Sequence, residues 1–495
     1  MHPRYHILMQ VAIAATLVAA LYPRVAQAIP VFANGQGVSC SLCHSAPPNL
    51  NAYGRYILAT NFTKGLDAHR QMEENSRDPV SFEITGIGSN TPTPGLPNVV
   101  VDLAQFLAAG YLGKDVTYYA SVPIVEGGVP AAAVDQVWAA YNGFSSGNGS
   151  LQIGKFPAPM FAPWLSQSLS LSGYSLAAMP VGLNTVGVGD NRWGGSYTQM
   201  GSKGLIGTVA YLTNTGAAES AFDGDVDSGG EGQSYVGSLL FMNPNSHFTG
   251  GIAAMSGTFP LPSGANDRFG REMALVSYST SPKYSLNAMA LVGYDNNPND
   301  GASLAAGSNG MSYEAIYNPY AWLHIDSRYE RTNDGLGAIQ NNYIGDLAFS
   351  IMPNLVLTLE NASSVGARPV TSYQLLWAGP WFRTPSHQEP ASAAAAPGAP
   401  GAAVVAASGT TATASPAADV RAGSAIFAAN CSMCHGANGE GGAGPNLHKI
   451  AQRKTLAGTI AFIENPSGGM PKLFPSTLSA DQVREVATYI RTTFL

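Results

Sequence analysis

Through the middle of the chain, residues 79–383, apolar and polar positions alternate one by one. Tyr284, Leu286, Ala288, Ala290, Val292 and Tyr294 are interleaved with Ser285, Asn287, Met289, Leu291 and Gly293. Leu355, Leu357 and Leu359 are interleaved with Val356, Thr358 and Glu360. In a third run Leu323, Ile325, Ser327 and Tyr329 face one way, while His324, Asp326, Arg328 and Glu330 face the other. A period of two is that of a β-strand, whose side chains point to opposite faces in turn. Comparable segments cover Thr117–Val125, Val134–Tyr141, Gln152–Phe156, Ser196–Leu212, Ser234–Met242, His247–Met255, Met273–Ser279 and Thr371–Phe382. Turn chemistry separates strands at 146–149, 295–301 and 333–335. The pattern predicts a mainly β protein of about 16 antiparallel strands, each of about ten residues. So many strands must manage their edges, and in a bilayer only a closed barrel satisfies every strand hydrogen bond. Tyr294, Tyr373, Trp377, Trp381 and Phe382 fit the aromatic girdles of a transmembrane barrel in outer-membrane lipid. A soluble propeller would repeat a motif at fixed period, and the region has none.

The ends of the chain read differently. Residues 1–28 have the form of a secretory signal: an apolar run from Ile7 to Leu21, then Ala26-Gln27-Ala28 as a cleavage site. No later stretch of 18 apolar residues exists, so no membrane helix is expected. Within 29–78, Leu50, Tyr53, Ile57 and Leu58 recur at helical spacing. Residues 384–417 are an Ala/Pro-rich tether with almost no charge. Residues 418–495 are helical in pattern. Arg421–Ala429 opens this region, and Leu478–Ile490 closes it with Val483, Val486, Ala487 and Ile490 inward.

Charge narrows the partners. The net charge of −7 argues against nucleic acid, and charged residues are only 11% of the chain. The barrel region carries 21 Asp+Glu against 11 Lys+Arg. Part of that excess is the run Asp223, Asp225, Asp227 and Glu231, a surface loop that would attract cations but lacks the pattern of an EF-hand. The C-terminal region, with 7 Lys+Arg against 5 Asp+Glu, is slightly basic.

All four cysteines lie in two copies of one motif, Cys40-Ser41-Leu42-Cys43-His44 and Cys431-Ser432-Met433-Cys434-His435. Cys-x-x-Cys-His attaches haem c: two thiols fix the porphyrin and the His ligates the iron. Two covalent haems are therefore expected, with His44 and His435 as axial ligands. Met470, in Gly-Gly-Met-Pro, falls where a class I cytochrome c supplies the sixth ligand of the second haem. The Pro445 carbonyl would orient His435. For the first haem the distal position stays open between His69, Met72, a ligand from the barrel and an open site. About 50 residues precede the strands, too few to enclose a haem alone.

Phe32-Ala33, Cys40, Cys43, His44, Pro48, Leu50-Asn51 and Tyr53-Gly54-Arg55, followed by a barrel, resemble the outer-membrane porin-cytochrome fusions of iron-oxidising bacteria. That resemblance implies a one-haem segment plugging a barrel. It further implies Fe(II):cytochrome c oxidoreductase activity, taking electrons from extracellular Fe(II) to a periplasmic c-type cytochrome or other redox carrier. The chain departs from the family by its tethered second cytochrome, which resembles a covalently attached acceptor in the periplasm. Outward electron transfer to a mineral or partner, and a solute porin with a structural haem, are the alternatives.

Overall fold

The structure, a computed structural model, describes residues 32, 43–66, 72, 80–91, 98–131, 134–201, 204–214, 232–242, 247–280, 283–301, 305–352 and 354–380. Toward the C-terminus it describes 423–424, 426–427, 430–431, 435, 439, 446–466, 474 and 478–494.

A small unit comes first. Strands β1 (His44–Ala46) and β2 (Asn49–Leu50) pair antiparallel, and helix α1 (Ala52–Ala59) follows at once. The wall then runs through β3 (Val80–Ser89), β4 (Val99–Tyr111), β5 (Val116–Glu126), the two-residue β6 (Val129–Pro130), β7 (Gln136–Phe144) and β8 (Gly149–Pro157). It continues with β9 (Asn191–Met200), β10 (Leu205–Asn214), β11 (Gly232–Met242), β12 (Phe248–Pro260), β13 (Asn266–Thr280) and β14 (Tyr284–Asp295). The last strands are β15 (Ala306–Tyr320), β16 (Leu323–Asn333), β17 (Ile339–Met352), β18 (Leu355–Ser364) and β19 (Val370–Pro380). Antiparallel pairing of β19 with β3, Trp377 opposite Ile84, closes a 16-strand barrel, with β6 an appendage of the β5–β7 connection. The alternation through Ser196–Leu212 is two strands rather than one: β9 ends at Met200, β10 starts at Leu205, and the two pair antiparallel.

Alternation sets which side chain meets which solvent. Ile153, Val209, Ile252, Val276, Leu286 and Val292 stand on the outer surface, more than half exposed. Such an apolar band suits hydrocarbon rather than water. Exposed Tyr284 and Tyr317 stack at one rim, with centroids 4.9 Å apart, beside stacked Tyr320 and Trp322 at 5.4 Å. At the other rim Tyr211, Tyr235, Tyr294, Tyr343 and Tyr373 are exposed. His324, Asp326, Arg328 and Glu330 all point inward and are buried, as the period of two requires.

The two ends of the barrel differ. One is tied by tight turns at 112–115, 145–148 and 321–322, and there β9 and β10, β13 and β14, and β17 and β18 also follow one another closely in sequence. At the other, successive strands lie farther apart in sequence: β8 ends at Pro157 and β9 starts at Asn191, with the 158–190 connection between them, and β10 ends at Asn214 and β11 starts at Gly232. The 158–190 connection does not stay outside. It carries the short helix α2 (Ala162–Leu165) and buries Met160, Phe161, Trp164, Leu176, Met179 and Val188 in the lumen. Its polar groups cross to the far wall: Ser170 and Ser172 donate to Glu360 at 2.6 and 2.5 Å, Tyr174 to Glu314 at 2.7 Å, and Ser175 to Glu330 at 2.8 Å. Asn184 donates to Asp267 and Asp295 at 2.8 and 2.9 Å. Every one of these wall carboxylates is buried, and each bond offsets part of the cost of burying it.

Near the C-terminus, helices α3 (Ile450–Arg453), α4 (Leu456–Glu464) and α5 (Ala480–Thr493) surround a separate core of Phe427, Leu447, Ile463, Val483, Val486, Ala487, Ile490 and Phe494. Helix α5 starts two residues later than the apolar pattern suggests. Ser479 and Gln482 form a capping box there, each side chain accepting from the other's backbone N–H. Gly423 crosses Glu485 so closely that a Cβ would sit 2.1 Å from its carbonyl oxygen, so only glycine fits.

Candidate functional site

The site is built around the Cys43-His44 corner. His44 is buried on β1, and its Nδ1 lies 3.1 Å from the Pro48 carbonyl. A carbonyl only accepts, so Nδ1 carries the proton and Nε2 keeps the lone pair. Burial is the largest influence on this imidazole and lowers its pKa to about 4, against the raising effect of its backbone partners. At neutral pH His44 is therefore a neutral ring with a free ligating nitrogen, the state iron requires.

Helix α1 is stitched to the same corner. The Cys43 carbonyl accepts from the Asn51 N–H at 2.9 Å. The Asn51 side chain caps the helix, accepting from the N–H groups of Tyr53 and Gly54 at 3.0 Å each. The helix passes so near that a Cβ on Gly54 would sit 2.2 Å from the Cys43 oxygen. The Asn-x-aromatic-Gly-Arg spacing thus has a local reason: cap, close approach, then an inward Arg55. Gly54→Ala is expected to cost about 1–3 kcal/mol by overpacking against rigid backbone. The readout is haem stoichiometry by pyridine haemochrome together with protease sensitivity of residues 43–66. Unchanged values on both would show that the contact is dispensable.

The unit is held inside the tight-turn mouth of the barrel. Asn61 Nδ2 donates to Ser150 Oγ at 3.1 Å, and Thr117 Oγ1 donates to the Asn61 carbonyl at 2.9 Å. The Tyr111 hydroxyl donates to the Phe62 carbonyl. The Phe62 ring stacks on Trp138 at 5.4 Å, and Phe32 lies against Phe62 at 4.6 Å. Ile57 and Phe62 belong to one continuous apolar cluster with the inward 158–190 connection and the β7–β14 wall. Arg55 lies over the Trp164 ring at 5.1 Å, so the unit touches that connection directly.

Residues of the second motif lie in the C-terminal core. Cys431 and His435 are buried, joined by a helical N–H to carbonyl bond of 3.0 Å from His435 to Cys431. The Leu447 N–H donates to the Gly439 carbonyl at 2.7 Å. Cys40, His69, Cys434, Pro445 and Met470 lie outside the described residues, as do Asp223, Asp225, Asp227 and Glu231. Met72 is described only as a half-buried helical residue. Among the described residues, no group of three or more His, Cys, Asp or Glu is arranged to hold a metal ion.

Sequence reasoning passed over the 158–190 connection. The signal was present: a loop with Met160, Phe161, Trp164, Leu165, Leu169 and Leu171 is too apolar to lie on a surface.

At the first motif the residues present fit a haem c, Cys43 standing beside a buried imidazole whose Nδ1 is fixed by the Pro48 carbonyl; at the second, Cys431 and His435 are both buried. Comparison with known proteins agrees for the C-terminal region. Residues 418–490 match the family described as cytochrome c oxidase, cbb3-type, subunit III. Cytochrome c6 of Leptolyngbya boryana is 36% identical over 78 residues, 15% of this chain and 91% of that protein. Cytochrome c-550 of Bacillus subtilis is 35% identical over 65 residues, 13% of this chain, and the match spans about half (52%) of that protein. Among solved structures, the barrel is similar to OmpT, an outer membrane protein of Vibrio cholerae, with TM-score 0.44 and 8% identity, over 60% of this chain and 97% of that one. An anion-selective porin from Comamonas acidovorans gives 0.43 and 11%, over 61% and 97%. At that level the likeness adds nothing to the closed strand pairing, on which the barrel rests. Through its C-terminal region the chain belongs to the c-type cytochromes, proteins whose haem is covalently bound.

Proposed function

We propose that this chain is an outer-membrane electron conduit with two covalent haems. In this reading the donor is extracellular, Fe(II) by the family resemblance; Cys40, Cys43 and His44 would hold the haem that takes its electrons, and the tethered cytochrome domain would receive them. The observation that carries this reading is the Cys43-His44 corner, docked inside the mouth of a closed barrel. Barrels of this kind put short turns toward the periplasm and long loops outside. The His44 unit precedes β3, and β19 ends at Pro380 opposite Ser81, so both lead to the tight-turn end. The His44 unit and the C-terminal domain are therefore assigned to the periplasmic side.

When bound, haem c supplies one-electron exchange at its iron. The chain supplies the rest. Cys40 and Cys43 would hold the porphyrin, and His44 presents a neutral nitrogen held by the Pro48 carbonyl. Phe62, Trp138 and the wall keep the corner dry. Each donated electron oxidises one Fe(II) to Fe(III) outside and leaves one reduced acceptor inside. No proton or group transfer is required of any side chain. In the C-terminal domain His435 and Met470 would ligate the second iron, with Pro445 orienting the histidine.

The filled lumen supports a conduit over a solute porin, since the 158–190 connection and α1 occupy the path a solute would take. The test is a proteoliposome with oriented protein, Fe(II) outside and a haem protein as acceptor inside. Reduction of the interior acceptor well above that with haem-free protein is expected. Equal rates in the two preparations, or solute swelling without electron transfer, would refute the proposal.

A further inference from the structure

We propose that Arg55 and the small cavity beside it form the seat of a haem propionate, an inference that rests on a haem being carried at His44. Arg55 is 4% exposed, and its Nε has no hydrogen-bond partner. Its one side-chain hydrogen bond, Nη2 to Asn49 Oδ1, is long at 3.4 Å. Ion pairs do not compensate: Arg55 forms none among the described residues, although Glu314 and Asp326 act on it electrostatically. A buried guanidinium with one long hydrogen bond and no ion pair in contact is costly, so an anion or equivalent acceptor at this point would stabilise it.

The cavity beside it shows what would fill the gap. Ser45, Asn49, Asn51 and Arg55 line it from the His44 unit, and Ser279, Ser285 and Asn318 from β13 to β15. Leu50 and Ile316 complete the lining; no carboxylate lines it, whereas hydroxyls, amides and a guanidinium do. Ser285 Oγ is a second buried group without a partner. Two orphaned polar groups converge on one pocket, and one of them is a cation. That donor set suits a carboxylate, for which arginine's planar fork is the matched receptor. The cavity adjoins Ser45, next to the histidine that would hold the iron, so the haem's own carboxylate is the one within the unit. A cavity holding only water satisfies the hydrogen bonds but places no opposite charge in contact with the guanidinium.

The measurement uses the full chain with Cys431→Ser and Cys434→Ser, so that only the first haem titrates. In this background Arg55→Met is expected to lower the reduction potential by about 59 mV or more, a tenfold change in the one-electron equilibrium. Loss of a cation beside the haem disfavours the reduced, more negative state. Arg55→Lys is expected to restore most of the potential, and Ser285→Ala to lower it by less. Met fills the same space, so a packing role alone would leave Arg55→Met at the wild-type potential. Wild-type potentials in all three variants, or an equal drop in Arg55→Met and Arg55→Lys, would overturn the assignment. Absence of any bound haem in the parent background would instead refute the reading of the first site.

Discussion

Replacing Cys40 and Cys43 by Ser is expected to abolish electron transfer into proteoliposomes, although the second haem is still attached and still reducible. Replacing Cys431 and Cys434 instead is expected to slow delivery to an interior acceptor without stopping it. The asymmetry follows from position. The first motif lies in the barrel mouth, anchored by Asn61, Phe62 and Tyr111 to the wall and by Arg55 to the inward connection. The second lies in a self-contained helical core with Phe427, Val483 and Ile490, beyond the tether. A hydrocarbon layer of about 30 Å insulates the two sides, and only the first site reduces that gap. The readout is interior acceptor absorbance after a pulse of external Fe(II). Equal losses in the two double variants would mean that the sites act as one unit. Full activity without the first haem would remove it from the path.

Much of this arrangement could be read from residue patterns. The inward face of β16 was legible because His324, Asp326, Arg328 and Glu330 recur at a period of two between apolar neighbours. Closure was legible from physics, since so many antiparallel strands with an apolar outer face leave no other way to satisfy their edges. The break between β9 and β10 was not legible, because Ser196–Leu212 keeps its alternation across it. The inward connection was harder still. Its burial depends on partners more than a hundred residues away: Glu314, Glu330 and Glu360 for Tyr174, Ser175 and Ser172. No local period records such contacts. In the His44 unit, Cys-x-x-Cys-His announced a haem. Gly54's role became visible only when the helix was placed against the Cys43 carbonyl.

Arg328→Met is expected to be the most destabilising single change in the wall, by about 3–5 kcal/mol, the usual cost of removing one partner from a buried ion pair. The Arg328 side chain is fully buried, with Glu330 at 3.6 Å and Glu314 at 3.9 Å. It also ties down the inward connection, donating to the Ser172 carbonyl at 2.6 Å and the Gly173 carbonyl at 3.1 Å, and it lies 4.2 Å over the Tyr174 ring. Asp326 and Asp346 face each other across β16 and β17, and neither has a hydrogen-bond partner for its carboxylate oxygens. Arg328 is the cation in contact with this group, Arg55 acting on Glu314 and Asp326 from farther away, so its loss leaves neighbouring carboxylates without their ion-pair partner. Two measurements separate the consequences. The temperature at which the folded band is lost on unheated gels should fall, reporting the wall. Single-channel conductance in planar bilayers should rise, reporting release of the 158–190 connection from its anchor. Replacing Glu314 and Glu330 by Gln alongside Arg328→Met should recover part of the stability, because paired removal of buried charges is far cheaper than removal of one. A barrel that melts at the wild-type temperature and conducts as before would show that the carboxylates are neutralised by something other than Arg328.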